Sequence, residues 1–151
     1  NIQGDEPFIE PAQLQELSEG FKTNAPILTL IKQIEDVETL FSVNTPKVVI
    51  NQRGEALYFS RQTIPYVRGI ASEQWLAKHR YFKHIGLYAY RADVLLEISQ
   101  LKPSPLELAE SLEQLRWLEN GYTIQTIETQ YETVGIDTPQ DIENVKKLGL
   151  I

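Results

Sequence analysis

The sequence contains no cysteine and no methionine, and its only histidines are His79 and His84. Without cysteine, a disulfide scaffold, a thiolate zinc site and a cysteine nucleophile are excluded. Two histidines cannot make a three-histidine metal centre. No apolar run approaches the roughly 18 residues needed to span a bilayer. No secretory signal pattern opens the chain, so the cytoplasm is the expected compartment. Cations are also scarce: 14 Lys and Arg stand against 21 Asp and Glu, giving a net charge of −7. General nucleic-acid binding, which relies on a basic footprint, is therefore disfavoured.

What is present suits a folded unit. The 151 residues are 42% hydrophobic and 9% aromatic. A chain of this length buries about 68–70% of its unfolded surface, enough for a core without cross-links. The opening Asn1-Ile2-Gln3-Gly4-Asp5, in a chain lacking methionine, reads as the end of a strand. The expectation is a segment of something longer.

Strand and helix signals alternate. Pro11 can take the first position of a helix that Gly20 can stop. Ile27 to Ile34 reads as a strand, and Asp36 as the N-cap of a short helix through Leu40. Residues 47–51 and 55–60 flank Gln52-Arg53-Gly54, a hairpin with glycine in its turn. Residues 61–80 are irregular or weakly helical. Tyr81 to Tyr90 is a strand with Phe82, His84, Gly86, Tyr88 and Tyr90 on one face. A helix follows from Ala92 to Gln100. Ser104-Pro105-Leu106-Glu107 has the form of a capping box with proline at the first helical position. Its helix is predicted to run to Glu119, burying Leu108, Leu112 and Leu115. A strand at 122–128 and a helix from Thr138 to Gly149 complete the pattern. This is an α/β chain, one domain segment over 1–151, with a layered sheet.

Several residues could carry chemistry. Asp5 lies in a Gly-Asp-Glu-Pro turn just past a strand's carboxyl end, where open α/β sheets bind ligands. An Asx turn with a solvated carboxylate is the simpler account of the local sequence. Asp137 precedes a helix start, but Thr138 is the better N-cap, with Pro139 at the first helical position and Asp141 at the third. Two loop aspartates are the minimal protein contribution to a Mg²⁺ site, which otherwise keeps waters and substrate phosphates. His84 and Tyr88 share a strand face, and Gly86 between them leaves room for a ligand. A half-buried histidine among core aromatics is the simpler account. Arg61 and Arg68 flank Ile64-Pro65-Tyr66 and could fork onto a carboxylate or phosphate. Glu107, Glu110 and Gln114 lie opposite the leucine face, with Glu113 on its border. That is the pattern of a solvated face, although such groups can also accept hydrogen bonds from sugar hydroxyls.

Six phrases, in order and spacing, resemble the 3-deoxy-manno-octulosonate cytidylyltransferases, or CMP-Kdo synthetases. They are Asn1-Ile2-Gln3-Gly4-Asp5-Glu6-Pro7, Ala56 to Arg61 with Ile64-Pro65, Lys83 to Arg91, Pro103 to Glu107, Leu112 to Arg116, and Gly135-Ile136-Asp137-Thr138-Pro139. The resemblance implies a layered α/β/α nucleotidyltransferase fold of the Rossmann-like, nucleotide-diphospho-sugar transferase type, with a mixed sheet incomplete at its N-terminus. It implies transfer of CMP from CTP to the sugar acid Kdo, with release of pyrophosphate, for lipopolysaccharide synthesis. Asp5 and Asp137 would hold Mg²⁺. Gln3, Arg61, Arg68, His84, Tyr88, Glu107, Glu113 and Gln114 would line the sugar pocket of a homodimer. The arginines would meet the Kdo carboxylate or phosphates, and His84, Tyr88 and the helix carboxylates the hydroxyls. Two features depart from the family. No Gly-rich phosphate cradle is present, so the segment alone is expected to be inactive. Gly69 follows Arg68 where the family often has aspartate. A sialic-acid cytidylyltransferase and a non-catalytic binding or dimerisation module of the same fold are the alternatives.

Overall fold

The computed structural model describes residues 1–2 and 8–132, together with Glu143 and Lys146. Gln3, Asp5, Asp137 and all of the helix predicted from Thr138 except Glu143 and Lys146 lie outside the described residues.

Eleven elements follow one another along the described chain: α1 (Pro11–Gly20), β1 (Ile27–Gln33), α2 (Val37–Phe41), β2 (Lys47–Ile50), β3 (Ala56–Ser60), α3 (Trp75–Lys78), β4 (Phe82–Tyr90), α4 (Ala92–Ile98), α5 (Pro105–Glu110), α6 (Gln114–Glu119) and β5 (Ile124–Glu128). The strands form one mixed sheet in the order β3-β2-β4-β1-β5. β1 pairs parallel with β5 and antiparallel with β4, and the β2–β3 hairpin is antiparallel.

β1 and β4 are central, which explains their sequences. A strand covered on both faces needs apolar side chains in both directions. Ile27, Leu28, Leu30 and Ile31 are accordingly buried. On one face Ile27, Ile31, Phe82 and Tyr88 pack with Phe59, Val94, Ile98, Leu112, Leu115 and Trp117. On the other, Leu28, Leu30, Ile85 and Leu87 pack with Leu17 and Ala25. Each fully buried leucine or isoleucine contributes about 1.5–3 kcal/mol.

The register of β1 against β4 shifts between Thr29, opposite Tyr88, and Leu30, opposite Ile85. Gly86 and Leu87 are therefore two extra residues in β4. An insertion of two preserves the alternation of faces. His84 and Tyr88 stay on one side, as the period-two pattern predicts.

The local start signals hold. Pro11 opens α1, and Asp36 caps α2 by accepting the Thr39 amide at 2.7 Å. Gly54 turns the hairpin at φ +76°. α1 ends at Gly20 as the sequence predicts. A 3₁₀ turn over Phe21–Thr23 follows, and Asn24 stops it in the left-handed conformation at φ 58°. The missing side chain of Gly20 also admits close packing, since a Cβ there would meet Ile127 and Leu28.

The long helix predicted from Ser104 to Glu119 is broken. Ser111 is left-handed at φ 53°, and the chain restarts as α6. The straight-helix face assignment fails with it. Leu108 is 69% exposed, whereas Leu112 and Leu115 are buried and Gln114, expected in solvent, is 5% exposed.

Candidate active site

β4 is the floor of the candidate site. Its face carries His84, Tyr88 and Tyr90 in sequence, and their rings form a run: His84 to Tyr88 at 5.3 Å, Tyr88 to Tyr90 at 5.8 Å. Trp117 of α6 stands edge-on to Tyr88 at 5.1 Å and to Tyr90 at 5.6 Å. This edge-to-face geometry sets the positive ring edge against the negative face and fixes α6 over the sheet. Beside it opens a cleft of about 520 Å³, lined by Tyr90, Leu95, Ile98, Glu113, Arg116 and Trp117, among others. Asn1 also borders the cleft, and its backbone exchanges two hydrogen bonds with Tyr88.

His84 is held on three sides. Phe59 meets its ring edge-on at 5.2 Å, Tyr88 lies beyond, and Nε2 is 3.0 Å from Thr29 Oγ1. Burial pushes its pKa down from 6.5 to about 3, because charging the ring would strip water from a cation. The imidazole is neutral at physiological pH.

The remaining predicted residues divide. Glu113 is exposed at the edge of the cleft. Gln114 is buried, and its Nε2 has no hydrogen-bond partner among the described residues. An orphaned buried amide costs about 1–3 kcal/mol, so a polar ligand reaching it would recover that energy. Arg68 is exposed in the turn closed by Gly69, with no partner among the described residues.

Glu107 and Arg61 have partners within the protein. Glu107 accepts Nε and Nη2 of Arg116, the former at 2.6 Å, and also the Ser104 amide at 3.1 Å. The guanidinium beside it holds its carboxyl below the usual range. Arg61 donates Nε to Glu110 O at 2.8 Å and Nη1 to Val43 O at 3.1 Å. The Glu110 carboxylate, expected in solvent, accepts Ser60 Oγ at 2.6 Å and the Arg61 amide at 2.9 Å. Lys47, fully buried, donates to the carbonyls of Ser42, Thr45 and Arg61, each at 2.7 Å. Three carbonyl dipoles replace the water such an ammonium would otherwise need. Together these groups clamp the carboxyl end of β3 to α5.

Thr29, Tyr90, Trp117 and Arg116 were not singled out by sequence reasoning. Tyr90 shared the predicted strand face with His84 and Tyr88, and Thr29 stood out as the polar residue within the apolar run Ile27-Leu28-Thr29-Leu30-Ile31. Among the described residues no group of three or more His, Asp or Glu side chains is placed to hold a metal ion.

A family model for cytidylyltransferases matches residues 1–127, most of the chain. The chain belongs to the cytidylyltransferase family. This cytidylyltransferase segment is 63% identical over 146 residues to the 3-deoxy-manno-octulosonate cytidylyltransferase of Cytophaga hutchinsonii, covering 96% of the chain and 58% of that relative. The enzyme of the same name from Parabacteroides distasonis is 59% identical over 148 residues, covering 95% of the chain and 59% of the relative. A solved structure of CMP:2-keto-3-deoxy-manno-octonic acid synthetase complexed with CTP superposes with a TM-score of 0.86 at 45% identity. It covers 99% of this chain and 60% of that one. The nucleotidyltransferase fold is thereby shown. The chain spans about three-fifths of the length of the relatives it matches.

Proposed function

We propose that the protein to which this chain belongs transfers CMP from CTP to 3-deoxy-manno-octulosonate, releasing pyrophosphate, and so supplies lipopolysaccharide synthesis. The observation that carries the reading is the cleft lined by Tyr90 and Trp117, at the Tyr90 end of the ring run from His84 through Tyr88, in a chain this similar to enzymes named for that reaction. The shared name also favours Kdo over sialic acid. A non-catalytic module has no observation in its favour.

In the reaction the sugar acid's C2 hydroxyl attacks the α-phosphorus of CTP, forming a new P–O bond as the bond to pyrophosphate breaks. The hydroxyl proton leaves with solvent or a carboxylate. The segment described contributes positioning. His84, Tyr88 and Glu113 face the sugar hydroxyls, Gln114 brings its unsatisfied amide, and Arg68 offers a free fork to the sugar carboxylate or a phosphate. Arg61 and Glu107 hold the walls of the pocket through their protein partners. Gln3 belongs to the same proposed sugar site.

Asp5 and Asp137 are proposed to hold Mg²⁺, since paired carboxylates are hard oxygen donors of the kind this ion takes. When bound, Mg²⁺ would neutralise phosphate charge. We further propose a cytoplasmic homodimer. Phe41 and Tyr66, 42% and 72% exposed, flank Trp75 at 5.8 and 5.1 Å, an apolar surface suited to a second copy.

The test is Asp137→Asn in the full-length protein. Pyrophosphate release with CTP and Kdo is expected to fall by about a hundredfold or more, with unchanged thermal unfolding. Unchanged turnover would remove this carboxylate from the mechanism. Product formed with N-acetylneuraminate but not with Kdo would replace the substrate.

A further inference from the structure

Thr29 is completely buried in the middle of the sheet, and its single hydroxyl faces three polar atoms. Oγ1 lies 2.9 Å from Leu87 O, 3.2 Å from Ile85 O and 3.0 Å from His84 Nε2. The two carbonyls belong to the bulged stretch of β4, where the inserted residues disrupt the ladder. A threonine hydroxyl has one proton to give and lone pairs to accept with. Carbonyl oxygens can only accept. If the proton went to His84, both carbonyls would lose the hydroxyl donor in a dry environment, at the cost of an unmade bond. The hydroxyl therefore donates to Leu87 O, the nearer carbonyl, and accepts from His84. Its acceptance requires a hydrogen on Nε2.

We infer that Thr29 is a positioning residue that fixes His84 in the tautomer protonated at Nε2, so that Nδ1 is presented to the ligand as a hydrogen-bond acceptor. A neutral histidine carries one ring proton, and Thr29 has claimed it. Nδ1 has no partner among the described residues. Phe59 and Tyr88 pack on the ring and oppose its rotation. Such an atom welcomes a hydroxyl and repels a carboxylate oxygen, which is itself an acceptor. The inference rests on the sugar-binding role proposed for His84, and it specifies which part of the sugar acid that residue takes. The hydroxyl face meets β4, and the carboxylate turns elsewhere.

The tautomer can be read directly. In the full-length protein with ¹⁵N-labelled histidine, the protonated and bare ring nitrogens resonate far apart, and a His84→Asn variant assigns the signals. Near neutral pH His84 is expected to show its proton on Nε2. A proton on Nδ1 would overturn the inference. Thr29→Val keeps the shape and removes the hydroxyl. It is expected to lose the fixed Nε2–H signature and to raise KM for the sugar acid about tenfold, with KM for CTP unchanged. Thr29→Ser restores the hydroxyl and should restore both readouts. A Thr29→Val protein that keeps the wild-type spectrum and sugar KM would refute the positioning role. If His84→Ala leaves the sugar KM unchanged, the sugar-site reading fails and takes the acceptor role with it, although the tautomer would still read as Nε2–H.

Discussion

Arg116 and Glu107 join the two short helices that replace one long one. The guanidinium of α6 engages both carboxylate oxygens at the start of α5, and both side chains are largely buried, 17% and 13% exposed. The same carboxylate accepts the Ser104 amide and so closes the first turn of α5. Arg116 Nη1 also reaches Leu101 O at 3.0 Å.

This pair is predicted to act on stability. Glu107→Ala and Arg116→Ala should each destabilise by about 2–3 kcal/mol, because each leaves a largely buried charge without its partner. The double variant should lose less than the sum, with a coupling of about 1–2 kcal/mol. Urea unfolding of the four proteins gives the cycle. Additive losses would show that the pair is not coupled. If Glu107→Ala instead changes only the sugar KM, its carboxylate serves ligand rather than scaffold.

Ser111 offers a separate test of the break. A non-glycine residue at φ 53° carries strain of about 1 kcal/mol. Ser111→Gly relieves it while adding freedom to the unfolded chain, for a net gain of about 0.5 kcal/mol. Ser111→Val should destabilise by more than about 1 kcal/mol. The midpoints of thermal unfolding should order as Gly, Ser, Val. Valine tolerated as well as glycine would mean that the left-handed turn is not kept.

His84 makes stability depend on pH. In the unfolded chain it takes up a proton near its ordinary value of 6.5, but folded only near 3. Between these values the unfolded state holds the extra proton. Stability from this group is full above 6.5 and falls as pH drops towards 3, by up to about 1.4 kcal/mol per unit. Glu107, held low by Arg116, loses its contribution in the same direction at lower pH. Denaturant unfolding from about pH 7 to about pH 5 should show a shallower loss in His84→Gln than in wild type. Equal slopes would mean that the imidazole is not buried neutral.

Local signals were legible where the physics is local. Proline at the first turn of α1 and α5, the Asp36 cap and the Gly54 turn each act within a few residues. The alternation in β4 correctly put His84 with Tyr88. The helix from Ser104 was misjudged for a different reason. Its leucines and glutamates fit one amphipathic face, but Glu110 is captured by Ser60 and Arg61, and Glu107 by Arg116. Partners 49 and 50 residues away leave no periodic mark.

Composition and short-range pattern alone established an α/β chain without thiol or multi-histidine chemistry, and six ordered phrases pointed to its family. Tertiary structure decided which polar groups remain available. Arg61, Glu107 and Glu110 look like surface charges in sequence, yet they are engaged by backbone groups, by Ser60 and by Arg116. Thr29 looks like an interruption in an apolar strand, yet it lies beneath His84. The reason is that hydrogen-bond satisfaction in a buried site depends on atoms brought together from distant segments, and no local spacing encodes which of them meet.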